Sequence, residues 1–320
     1  MIELKADSRI LLVRTDNIGD VLLTLPALAS LRRRYPKAFI AYLCRSYTAP
    51  LFENNPDLNQ VLSTDDGFAS GLKFEASVHF YVEPKGILMA ACSKIKRRIG
   101  PRSKIWSALL TERIVQNRSR VEKHEAEYNL DLVKALGADG EKSPPRIYLS
   151  ELEKREGWQI FSRLLGVENA RPVVLHPGTK GHAESWPLGS FIELAAKIGD
   201  RGIKAVFTAG KGEEKIVEEV RKAGHKNVHA IPAGSLNLRQ LSAAISQARL
   251  FVGNSSGPLH IATAVNVPTI SFFPETPLVT SSKRWGPFGS ESVNRVFSPA
   301  DPGAPLASVS PDRVLKAWTA

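Results

Sequence analysis

The sequence predicts an α/β protein of two domains, each built around a parallel sheet, and three observations carry that expectation. The chain has 320 residues, long for one hydrophobic core and short for three. Short apolar runs alternate with segments of helical apolar spacing in both halves, as expected when parallel strands are joined by helical crossovers. Between the halves, residues 137–145 (GADGEKSPP) lapse into Gly, Asp, Ser and paired prolines, which is linker chemistry. The boundary belongs there, giving domains 1–145 and 146–320.

Taken in order, residues 8–14 (SRILLVR) form an apolar strand, polar TDNIGD a loop, and Val21, Leu22, Leu25, Leu28 and Leu31 a helical stripe. Strand-like runs follow at 39–43, 60–63 and 77–82, then a basic segment, then a helix over 122–136. His124, Glu125 and Tyr128 share a face of that helix, a spacing that packing alone explains. The second half restarts with strands at 172–176, 204–209, 250–253 and 269–273. Asn237 and Gln240 are spaced as a capping box before Leu241. Ser310-Pro311-Asp312 opens a final helix, 311–320, the element that could pack back on the first domain.

Apolar residues make up 43% of the chain and charged residues 23%, an ordinary globular composition. No apolar run reaches the ~20 residues of a membrane helix, and the first eleven residues lack a signal-peptide core; a cytoplasmic location is expected. Cys44 and Cys92, the only cysteines, are expected to be buried reduced thiols. The formal charge of +11 favours anionic partners: nucleic acid, lipid headgroups or phosphorylated glycans. No helix-turn-helix, zinc finger or RNA-binding aromatic motif is present, so specific nucleic-acid binding is not expected. The cations cluster at Lys94, Lys96, Arg97, Arg98, Arg102 and Lys104, followed by Ile105, Trp106, Leu109 and Leu110. That stretch reads equally as a solvated loop feeding a core helix and as a contact for anionic lipid or acceptor phosphates.

Two motifs carry chemistry. In RTDNIGDVLLTLP, residues 14–26, Gly19 permits a tight turn and Asp20 stands at a strand end beside a helix start. Asp20 could simply charge the first helical turn, or accept a proton from an attacking hydroxyl as general base. In FVGNSSGPLHIATA, residues 251–264, a strand runs through small hydroxyl residues into a helix whose first N–H groups can bind phosphate. Ser255, Ser256 and Gly257 let a diphosphate approach the backbone, and His260 can donate to an anion.

These two motifs, in this order and separation, resemble those of the ADP-heptose:lipopolysaccharide heptosyltransferases, glycosyltransferase family nine. The likeness continues through 97–114 (RRIGPRSKIWSALLTERI), 123–137 (KHEAEYNLDLVKALG), 175–191 (LHPGTKGHAESWPLGSF) and 207–215 (FTAGKGEEK). The resemblance implies a GT-B fold, two Rossmann-like domains whose parallel sheets face each other across a cleft. It implies an acceptor-binding first domain and a nucleotide-sugar-binding second one. Asp20 is implied as catalytic base, Ser256, Gly257 and His260 at the donor diphosphate, Leu236 beside the adenine, and Glu213 or Glu214 at the ribose. At Glu184, many relatives carry a Lys two residues before the Trp-Pro dipeptide, here Trp186-Pro187; Lys180 or His182 would replace that cation, Lys180 being favoured. At Ser255, several relatives carry an acid beside the donor sugar.

The expected activity is thus metal-independent, inverting transfer of a heptose from ADP-heptose to a lipopolysaccharide core or related surface glycan. Arg97, Arg98, Arg102 and Lys104 are the candidate acceptor or membrane contacts. No cofactor is expected beyond the nucleotide-sugar co-substrate, and no DxD pair or His/Cys cluster suggests a metal. The partners are an anionic glycolipid and the cytoplasmic face of the inner membrane, met by a peripheral monomer. The alternatives are a GT-B transferase or epimerase using another nucleotide-sugar, and a non-catalytic nucleotide-sugar binder.

Overall fold

The computed structural model describes residues 4–65, 73–179, 181, 184–289 and 293–319. They form two compact units, 1–148 and 149–320. The first contains β1 (Arg9–Val13), α1 (Ile18–Leu22), α2 (Leu25–Arg34), β2 (Phe39–Cys44), β3 (Gln60–Ser63), β4 (Ala76–His79), α3 (Pro84–Cys92), β5 (Arg97–Pro101), β6 (Glu112–Ile114) and α4 (Glu125–Lys134). The second contains α5 (Glu151–Leu165), β7 (Val173–His176), α6 (Leu188–Asp200), β8 (Ala205–Phe207), α7 (Glu214–Ala223), β9 (Val228–Ala230), α8 (Leu238–Ser246), β10 (Leu250–Asn254), α9 (Gly257–Ala264), β11 (Thr269–Phe272), α10 (Ser282–Trp285), β12 (Asn294–Phe297) and α11 (Pro311–Thr319).

Each unit holds a six-stranded sheet, ordered β3-β2-β1-β4-β5-β6 in the first and β12-β11-β10-β7-β8-β9 in the second. Both are the doubly wound order in which successive strands run outward from a central pair. All pairings are parallel, β1 matching Ile10–Val13 to 40–43 on one side and to 76–79 on the other. The central pairs are β1/β4 and β7/β10, and there the chain reverses direction across the sheet. Loops leaving these strands diverge at their carboxyl ends, the position where such sheets bind ligands. Central strands are buried on both faces, which explains why Leu11, Leu12, Val174 and Val252 are wholly inaccessible.

The structure differs from the sequence expectations at several points. Gly19 lies inside α1 rather than in a turn. The helix expected over 122–136 starts later, because His124 is its N-cap: its Nδ1 accepts from Ala126 N at 3.1 Å, and Glu127 closes the capping box. The basic stretch is ordered structure, with 97–101 forming strand β5 and Ile105–Leu109 a single 3₁₀ turn. Cys44 is buried, which pushes its thiol up to about 11, but Cys92 is exposed at the end of α3. The last helix is part of the second unit's own core: Val314 and Leu315 are buried with Val173, Phe191 and Ile198.

Candidate active site

In the first unit, the carboxyl end of β1 collects charge. Arg14 directly follows the strand and is buried, 3% exposed. Its Nε donates to Asp16 Oδ1 at 2.7 Å, its Nη2 to Asp20 Oδ1 at 2.5 Å, and its Nη1 to Glu125 Oε1 at 3.3 Å and Phe80 O at 3.2 Å. Glu125, fully buried at the start of α4, also accepts from Arg118 Nη1 at 2.5 Å. Burial disfavours the Arg14 charge, but Asp16, Asp20 and Glu125 outweigh it and raise its pKa above the ordinary arginine value. Asp16 is held above the usual carboxylate range, because burial and the charge of Asp20 together exceed the pull of Arg14.

Asp20 stands in the first turn of α1, where its charge suits the helix start, but it does not cap that helix. A capping carboxylate would accept from backbone N–H groups of its helix. Asp20 instead binds Arg14, and the N-cap position belongs to Asn17. The Asp20 side chain is 15% exposed, and among the described residues it makes no further hydrogen bond, so Oδ2 is available to a ligand. A carboxylate so held at the switch point of a doubly wound sheet can take a proton from a substrate hydroxyl.

In the second unit, β10 ends in Asn254, fully buried. Its Oδ1 accepts from Trp186 N at 2.8 Å and its Nδ2 donates to Pro177 O at 2.9 Å, pinning both ends of the 177–186 loop to the end of β10. Ser255 and Ser256 follow, and α9 begins at Gly257. Ser256 is the N-cap but makes no capping hydrogen bond, and its buried Oγ has no partner among the described residues. The Ser256 hydroxyl thus stands beside the first N–H of α9 with its hydrogen-bonding capacity unused among the described residues. Pro258 contributes no N–H, and Leu259 N is spent on Ser256 O at 3.2 Å, so the helix start offers fewer donors than its motif suggests. His260, 4% exposed, is in the first turn.

Glu213 and Glu214 part company in the structure. Glu213 Oε2 accepts from Gly210 N at 2.6 Å at the end of β8, and its carboxylate lies over Gly178, where an added Cβ would come within 2.3 Å of both oxygens. It also faces His176, whose pKa burial nonetheless lowers. Glu214 turns outward to Gly212 N at 3.0 Å and is exposed. Leu236 is half-buried just before the Asn237–Gln240 capping box of α8, which is present.

The sequence profile of glycosyltransferase family 9 (heptosyltransferase) matches residues 85–302. A provisionally named glycosyltransferase of Haemophilus influenzae is 30% identical over 310 residues, covering 91% of this chain and 89% of its own. The chain belongs to glycosyltransferase family 9. Among solved structures, a family 9 glycosyltransferase of Veillonella parvula superposes with TM-score 0.87 at 19% identity, covering 99% of this chain and 98% of that one. The Escherichia coli ADP-heptose lps heptosyltransferase II gives 0.81 at 23%, covering 97% of each. The fold is GT-B, and this family 9 protein is a glycosyltransferase.

Within that enzyme several sequence expectations need correcting. Glu184, which stands where many relatives carry a Lys, has its Oε1 committed to Leu306 N at 2.7 Å, and so braces the 3₁₀ turn Leu306–Ser308. Lys180 and His182, its suggested substitutes, lie outside the described residues. Arg97 is not a surface contact: it is 8% exposed, pairs with both carboxylate oxygens of Glu112 at 2.7 and 2.9 Å, and donates to Ala135 O at 2.9 Å. Arg98 is half-buried, its guanidinium on the carbonyls of Ile95 and Leu109. Only Arg102 and Lys104 of the four stand at the surface. Sequence reasoning missed Arg14 as the partner of Asp20, although it opens the same motif, and treated Glu125 as packing.

Proposed function

We propose that the enzyme transfers a heptose from ADP-heptose to a lipopolysaccharide core or related surface-glycan acceptor, inverting the anomeric carbon. The observation carrying this is the Asp20 carboxylate, fixed by Arg14 at the carboxyl end of β1 with one oxygen uncommitted. In this reading Asp20 takes the acceptor's hydroxyl proton while that oxygen bonds to the anomeric carbon. The bond from that carbon to the diphosphate breaks, and ADP leaves with the electron pair. The Gly257 N–H, the Ser256 hydroxyl and His260 receive the leaving group, whose charge grows in the transition state. Glu213, at the strand ends, is the better placed of the two acids for the ribose, with Leu236 toward the adenine. The nucleotide-sugar is a co-substrate and no resident cofactor or metal is invoked. An anionic glycolipid acceptor fits a monomer working peripherally on the cytoplasmic face of the inner membrane. Membership of a heptosyltransferase family supports the sugar and the acceptor class.

The test is ADP release measured for several nucleotide-sugars crossed with truncated lipid acceptors. ADP-heptose should be turned over only with a glycolipid acceptor, and Asp20→Asn should lower kcat by about 10²–10⁴-fold while ADP still binds. Unchanged turnover in Asp20→Asn would remove the base. Ser255 motivates one other reading, a donor with a different nucleotide or sugar; calorimetry showing tighter binding of UDP than ADP would favour it.

A further inference from the structure

Residues 81–120 contain ten Lys and Arg against two acids, Glu83 and Glu112, and so hold most of the chain's excess charge of +11. Neither acid offsets it freely, since Glu83 caps α3 through Lys85 N and Gly86 N while Glu112 holds Arg97. At the carboxyl ends of β4 and β5 the same segment exposes apolar side chains that the fold does not cover. Ile105 is 84% exposed, Trp106 42%, Leu88 48% and Tyr81 40%. The 3₁₀ turn carrying Ile105 and Trp106 packs against α3, which carries Leu88. Lys104 lies 4.4 Å from the Tyr81 ring centroid, with its ammonium on the phenol. Arg102 and Lys104, next to Ile105 and Trp106 in the chain, are exposed.

An isoleucine and a tryptophan at a turn tip, beside the exposed cations Arg102 and Lys104, match a bilayer interface rather than a folded partner. The apolar tip enters the headgroup layer, the indole sits at its boundary, and the cations meet anionic headgroups. The patch also adjoins the candidate base, for Tyr81 stands between Lys104 and Arg14, whose guanidinium is 5.9 Å from the same ring and holds Asp20. We infer that Ile105 and Trp106, with Arg102 and Lys104, dock the first unit on an anionic lipid surface and present Asp20 to an acceptor anchored there. This rests on the proposed lipid acceptor and adds which surface meets the bilayer.

The full-length protein is mixed with vesicles of phosphatidylcholine alone, or of phosphatidylcholine with phosphatidylglycerol, and co-sedimentation is read with no donor or acceptor present. Binding should require phosphatidylglycerol and weaken with added salt. Ile105→Ser with Trp106→Ser should lower the partition coefficient at least about tenfold, and Arg102→Ser with Lys104→Ser about fivefold per cation. All variants should keep the wild-type melting temperature, because these side chains are exposed. Equal binding to both vesicle types, or undiminished binding after loss of Ile105 and Trp106, overturns the inference. So does a wild-type dimer by light scattering that the apolar double substitution converts to monomer, since a second copy would then cover the patch. Vesicle binding as stated, with no acceptor ever glycosylated, would leave this surface standing and remove the transfer reading instead.

Discussion

Arg14 is enclosed by Asp16, Asp20 and Glu125, with Arg118 as the only second cation the described geometry gives that group. Arg14→Met would leave buried carboxylates facing one another, and should destabilise the protein by about 3–5 kcal/mol in urea denaturation. A loss below about 1 kcal/mol would mean that the network is solvated. A second residue-scale prediction concerns pH. Burial, with Arg98 adding to it, lowers the His79 pKa to about 3, whereas an unfolded imidazole titrates near 6.5. Between those values the unfolded chain binds a proton that the folded one does not. This contribution to stability is therefore complete above about pH 6.5 and is lost as pH falls toward 3, at up to about 1.4 kcal/mol per pH unit. His79→Gln should flatten that slope in denaturation curves taken between about pH 7 and pH 5; an unchanged slope would assign it to other groups. Asp20 was legible in the sequence because its motif combines a strand end, a loop and a helix start. Glu125 was not, since it reaches Arg14 across 111 residues, a pairing that exists only once β1 and α4 are assembled.

At the level of elements, the carboxyl end of the second unit's sheet depends on loops held by single side chains. Asn254→Ala would release the 177–186 loop and orphan buried backbone groups at Trp186 and Pro177, costing about 2–4 kcal/mol by thermal or urea unfolding. Gly178 makes a sharper case. Its Cβ-free backbone leaves the space that the Glu213 carboxylate fills, so Gly178→Ala must push that carboxylate away. If Glu213 serves the ribose, Gly178→Ala and Glu213→Ala should each weaken ADP binding in calorimetry, and the double variant should be no weaker than the worse single one. Full additivity would separate the two residues. Strands such as 39–43 and 60–63 were readable from their apolar runs, and the capping box of α8 from its spacing. Strand β5 was hidden because its inward-facing Arg97 is neutralised by Glu112 on the next strand, so that the period-two pattern contains a charge where a hydrophobe is expected. The Glu184 contact was equally invisible, since its partner is a backbone N–H 122 residues away.

For the whole molecule, two sheets of one strand order follow from alternation that the sequence displays plainly, but the allegiance of the last helix does not. Its amphipathic pattern states that one face must be buried without stating against what. In the structure Val314 and Leu315 enter the second unit's core, Lys197 of α6 pairs with Asp312 at 2.9 Å, and the Trp186 indole donates to Val309 O at 2.8 Å just before the helix. The second unit thus holds every strand of its sheet and the helix that closes it. Residues 149–320 expressed alone should therefore fold with a cooperative melt and, if the proposed donor site is right, bind ADP, since Asn254, Ser256, Gly257, His260 and Glu213 all travel with it. Removing 311–320 from that fragment strips two buried aliphatic side chains and the face they cover, each worth about 2–5 kcal/mol in a core, which is comparable to the whole stability of a domain this size. The shortened fragment should melt non-cooperatively or fail to accumulate as soluble protein. If it melts like the longer one, α11 adds little to this core.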